Sequence, residues 1–150
     1  MEKKLLCLLA IIFVGIFHSY GQGATCATAT TLSINGSCDS GSISDSTQGL
    51  PLITSCTGTF RDEGWYTFNV TAGPQNIVIT ANSGNRNLYL QLISSTGSCT
   101  GLSQVSCANA DNSNNSAQTE TISATLANGT YYVKVVNVAT NGGAMNLNSI

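Results

Sequence analysis

Between Asp62 and Val70 the sequence reads Asp-Glu-Gly-Trp-Tyr-Thr-Phe-Asn-Val, and its side chains alternate in character. A strand sends successive side chains to opposite faces. Trp65, Thr67 and Asn69 therefore point one way, and Tyr66, Phe68 and Val70 the other. An amphipathic helix needs a period near 3.6, which this stretch does not have. It holds the sole tryptophan and reads as the central strand of a β-sandwich.

The same period recurs on either side, broken by Gly-, Ser- and Asn-rich turns roughly every eight to twelve residues, as in sandwiches and barrels. Short strands are expected at 30–34 and 40–46, then a loop at 49–59 carrying Pro51 and Cys56. After Ala72-Gly73-Pro74, residues 75–81 alternate with Ile77 and Ile79 on one face and Val78 and Thr80 on the other. Residues 88–93 set Leu88, Leu90 and Leu92 against Tyr89, Gln91 and Ile93. A short run at 102–106 precedes a polar loop at 108–116. Residues 119–126 turn Ile122, Ala124 and Leu126 inward, and Asn128-Gly129 favours a tight hairpin into 131–138. Residues 144–150 make a last strand. No apolar stripe of helical period exceeds about two turns, and no internal repeat is present. The expectation is an all-β, jelly-roll-like antiparallel sandwich of about eight to nine strands.

The chain begins Met1-Glu2-Lys3-Lys4 and is then apolar to Phe17, with small residues at Ser19 and Gly21. A short basic region, an apolar core and a small-residue site make a secretory signal peptide, here residues 1–21 with cleavage after Gly21. The run is short of the ~20 residues a spanning helix needs, so no membrane insertion is expected after cleavage. That leaves one domain, residues 22–150, large enough to bury on the order of two-thirds of its unfolded surface. It carries three basic side chains (Arg61, Arg86, Lys134) and six acids (Asp39, Asp45, Asp62, Glu63, Asp111, Glu120), a net charge of −3. So few cations exclude a nucleic-acid footprint. The single histidine, His18, leaves with the signal. Ser–His and Cys–His nucleophile pairs are thereby excluded, and Asp62 and Glu63, as strand neighbours, point apart rather than flanking one bond. The domain reads as not an enzyme.

Five cysteines remain in an exported chain, which implies a disulfide framework with one thiol left over. Cys99 and Cys107 flank the run expected to form a hairpin and are the first pair. Cys38 with Cys56 is the second, leaving Cys26 over; Cys26 with Cys38 is the alternative. With no histidine and no Cys-x-x-Cys pair, zinc is excluded. The aromatic residues Trp65, Tyr66, Phe68, Tyr131 and Tyr132 sit in alternating strands and read as core. Tyr89, opposite the leucine set, is the candidate for stacking on a ligand. Four Asn-x-Ser/Thr patterns, at Asn35, Asn69, Asn114 and Asn128, matter only in a host that glycosylates them.

Three segments together resemble a known family: residues 62–70, Asn87-Leu88-Tyr89-Leu90, and residues 126–135, Leu-Ala-Asn-Gly-Thr-Tyr-Tyr-Val-Lys-Val. They are similar to the bacterial pre-peptidase C-terminal domain, a jelly-roll-like β-sandwich, over roughly residues 60–150. The start at Cys26, with Cys99 and Cys107, looks like the version found in exported proteins of Bacteroidetes. The resemblance implies a secreted, noncatalytic accessory module for adhesion or substrate attachment. Alternatives are a carbohydrate-binding module and a folding appendage of a larger secreted protein. Its partners would be an extracellular polymer, a glycan, a cell surface or a neighbouring domain. Some members bind calcium through aspartates near the aromatic strand and the middle strands; here the matching positions are Asp62, Glu63, Asn87 and Asp111. Asn87 stands where an aspartate is common, and Ala110 replaces one of a usual pair.

Overall fold

The computed structural model describes residues 23–43, 62–109, 116–138 and 144–150. The expected signal peptide, the loop at 49–59 with Cys56, and Asp111 lie outside these residues. Nine strands form among the described residues: β1 (Thr30–Thr31), β2 (Gly41–Ile43), β3 (Asp62–Val70), β4 (Gln75–Ser83), β5 (Leu88–Ser95), β6 (Ser103–Ala108), β7 (Thr119–Leu126), β8 (Gly129–Asn137) and β9 (Met145–Ser149). They make a five-stranded sheet, β1-β3-β8-β5-β6, over a four-stranded sheet, β2-β9-β4-β7. All pairings are antiparallel except the two-residue contact of β1 with β3. The expected all-β sandwich is the observed one.

Between the sheets lie the side chains that the alternation assigned inward. Tyr66, Phe68 and Val70 meet Leu88, Leu90 and Leu92, Val133 and Val135, and from the other sheet Ile79, Ile122, Leu126, Met145 and Leu147. Each fully buried side chain of this size contributes roughly 1.5–3 kcal/mol. Val78, on the opposite face of β4, is exposed. Phe68 stacks on Tyr131 with ring centroids 5.6 Å apart.

Three expectations need correction. β3 is not the central strand; β8 is, paired along its length with β3 on one side and β5 on the other. The Asn128-Gly129 turn does not close a hairpin, because β7 pairs with β4 and β8 belongs to the other sheet. Here the turn carries the chain across the sandwich, and the Asn128 side chain accepts a 2.5 Å hydrogen bond from the Gly73 N–H of the β3–β4 turn.

The third correction is the disulfide. Cys26 bonds Cys99, with their Cα atoms 5.8 Å apart. Cys99 does not flank the β5–β6 hairpin but sits in its turn, at φ 57°, beside the Gly97–Thr100 bridge and Gly101 at φ 54°. Cys107 is at the far end of β6, opposite Gln91. At about 3.4 Å per residue the two are too far apart to bond directly, since bonded Cα atoms lie within about 7 Å. Cys107 is itself disulfide-bonded, but not to Cys99, whose partner is Cys26. Cys38 is exposed and free, which removes both Cys38–Cys56 and Cys26–Cys38.

Candidate functional site

The face of the five-stranded sheet turned away from the sandwich core is covered as well. The amino-terminal segment folds over it: the Gly23 carbonyl accepts from the Trp65 N–H at 2.7 Å, and Cys26 is tied to the β5–β6 turn. Under this cover Cys26, Trp65, Ile93 and Tyr132 pack with Ala29, Cys99 and Leu102. Trp65 meets Tyr132 edge-on, with centroids 6.3 Å apart and planes at 74°. Next to them Tyr89 and Val136 pack with Cys107 and Val138.

Charge is enclosed in this layer. The register puts Lys134 of β8 opposite Trp65 of β3, and Glu63 two residues along the same face. The Lys134 ammonium forms an ion pair with Glu63, and the two side chains are 3% and 2% exposed. The Trp65 indole N–H donates to the other Glu63 oxygen at 2.9 Å. Lys134 Nζ also lies 5.2 Å from the centre of the Trp65 ring, a cation–π contact worth on the order of 2 kcal/mol when desolvated. Gln91, opposite Lys134 on β5, donates to Gln104 of β6 at 2.7 Å. Burial, and then the charge of Glu63, push the Tyr89 phenol well above its ordinary value. On the inner face, burial and then the charge of Asp39 do the same to Tyr66.

The candidate ligands therefore separate. Glu63 faces outward into the covered layer and is held by Lys134 and Trp65. Asp62 is turned to the other face of the sheet, where its carboxylate accepts from the Asn137 amide at 3.2 Å. Asn87 is buried at the same sheet end, since Asp62, Asn137 and Leu88 are register partners. Calcium asks for six to eight oxygens. Among the described residues no group of three or more His, Cys, Asp or Glu comes together. Asp62 and Glu63, on opposite faces of β3, thus do not point into one site, and Asp111 lies outside the described residues.

Tyr89 is also corrected. It is 1% exposed, because the second face of β5 is covered rather than open to solvent. Lys134 has no part in the sequence-based expectations, yet it is the partner of Glu63. Its signal was a lone charge inside Tyr131-Tyr132-Val133-Lys134-Val135-Val136, a run too apolar to leave a lysine unpartnered.

The family model of the bacterial pre-peptidase C-terminal domain matches residues 62–144, from the first residue of β3 to the threshold of β9. The chain belongs to this family. Searches of curated proteins and of solved structures gave no match. Pre-peptidase C-terminal domains are usually noncatalytic accessory parts of secreted proteins. In this one, the acidic pair that opens the matched region is turned into the fold. Among the described residues, no helix is long and apolar enough to cross a membrane.

Proposed function

We propose that this pre-peptidase C-terminal domain is a secreted, noncatalytic module that attaches a larger protein to an extracellular polymer or cell surface. The observation that carries the reading is the fate of Asp62 and Glu63. Asn137, Lys134 and Trp65 already engage them, so their work is to hold the sheet together rather than to act on a substrate. Among the described residues, what the module offers to its surroundings is mostly serine, threonine and asparagine on strands and turns, with Asp39 and Arg86 half-buried. The aromatic side chains of the sheets are buried, so attachment would use polar hydrogen bonds and backbone edges rather than ring stacking on sugars.

Co-sedimentation tests this. The module fused to a fluorescent reporter is mixed with cellulose, chitin, collagen fibres and whole bacterial cells. Retention on at least one, at levels the reporter alone does not reach, is expected. No retention on any, together with a raised melting temperature of a fused neighbour domain, would replace attachment by a folding-appendage role.

A further inference from the structure

β9 lies between β2 and β4, but β4 is much longer than its contact with β9. Only Asn82 and Ser83 of β4 pair with it, through Ser149 and Leu147. Gln75 to Ala81 pair with β7 along one edge, and among the described residues nothing pairs with their other edge. The register says what would fit there. β9 runs antiparallel to β4 with Ser149 opposite Asn82, so Ile150 comes opposite Ala81, and a strand continuing in the same line would pass Thr80 and on towards Gln75. The far side of that track is also built: Asp39 and Ile150 exchange backbone hydrogen bonds of 3.0 and 2.9 Å, and the segment before Asp39 continues alongside. In the track lies a groove of about 720 Å³, lined by residues 32–38 on one side, by 75–80 on the other, and by Phe68 and Ile150.

We propose that this groove accepts one extended, uncharged peptide strand from a partner protein, in line with β9 and antiparallel to β4. Exposed sheet edges are normally blunted by charge or proline. Residues 75–81, Gln-Asn-Ile-Val-Ile-Thr-Ala, have neither. No lining residue has a charged side chain, which suits an uncharged partner strand. Two of the exposed large apolar side chains, Ile34 and Val78, line the same groove, giving a β-branched partner side chain something to cover. Main-chain hydrogen bonds to β4 would supply affinity, and Ile34 and Val78 a preference for apolar side chains. The groove is remote from the Glu63–Lys134 layer, which lies outside the other sheet. The inference therefore goes beyond the attachment reading and does not depend on any polymer.

The test uses the full chain with a fluorophore on Cys38, the free thiol that lines the groove. The probe is a capped heptapeptide of alternating threonine and valine, long enough to lie along residues 75–80. Its control is the same peptide with alternate backbone nitrogens methylated. Saturable binding of the first and not the second is expected. The β4 amides that face away from β7 should then exchange with solvent more slowly, by on the order of tenfold. Val78→Lys, at a side chain 66% exposed, should weaken the peptide without lowering the melting temperature. Appending the seven residues after Ile150 should protect the same amides and abolish binding of the free peptide. Equal binding of the methylated control would overturn strand addition. So would unchanged exchange with both the free and the appended strand.

Discussion

Replacing Lys134 by methionine isolates what the enclosed ion pair does. Methionine keeps the length and the apolar stem, so packing against Trp65 is largely retained while the charge goes. Glu63 is then left in a layer where its side chain is 2% exposed, with the Trp65 N–H still donating to it. Removing one partner of a buried pair costs about 3–5 kcal/mol, because the remaining carboxylate has lost water without compensation. A surface pair would cost under about 1 kcal/mol. Urea unfolding followed by tryptophan emission measures the difference, since Trp65 is the only tryptophan and is 1% exposed. With a slope of about 2 kcal/mol per molar, the midpoint should fall by roughly 2 M. Combining Lys134→Met with Glu63→Leu removes both charges and should recover most of the loss. A single variant costing under about 1 kcal/mol, with no recovery in the double, would refute the claim that the pair is closed to water.

Three further outcomes are expected. Replacing Cys26 and Cys99 together by serine opens a 73-residue link and should lower stability by about 4 kcal/mol in the chain-entropy model; a non-reducing peptide map should show Cys26 joined to Cys99, and a Cys99–Cys107 peptide would contradict the fold. Both Tyr66 and Tyr89 titrate above their ordinary value in the fold, so the native state keeps protons that the unfolded chain gives up near pH 10. Their stabilising effect is complete below that pH and lost above it, at up to about 1.4 kcal/mol per pH unit for each phenol; in a Cys38→Ser background, unfolding measured from pH 8 to 11.5 should show this, and Tyr89→Phe should reduce the slope. Thermal melts in calcium and in chelator should agree within about a degree, because Glu63 is already held by Lys134; a clear rise with calcium would show a site that the described residues do not form.

Local alternation carried the inner core into view. Tyr66, Phe68 and Val70, the three leucines of β5, and Ile122 with Leu126 all lie where a period of two sets them. That period says which side chains share a face, but not whether the opposite face is wet. Tyr89 is buried for this reason: its cover comes from elsewhere in the chain, beside a layer whose lid is fastened from Cys26 to Cys99. Turn residues behaved alike. Asn128-Gly129 specified a reversal, but strand partners are chosen by long-range packing, and β7 and β8 went to different sheets. The centrality of β8 was equally invisible in the aromatic content of β3. The acidic pair showed its residues but not its partner, because the Glu63–Lys134 contact joins positions 71 residues apart.

The Trp65 indole proton tests the central claim most directly, that the acid at position 63 is a closed structural element and not an open site. The sole tryptophan gives a single indole N–H resonance, and that proton is donated to Glu63. Its exchange with solvent should require unfolding of the whole domain, with a free energy matching that from urea. Exchange far faster than global unfolding would mean that water reaches Glu63 in the native state, and would reopen it as a ligand.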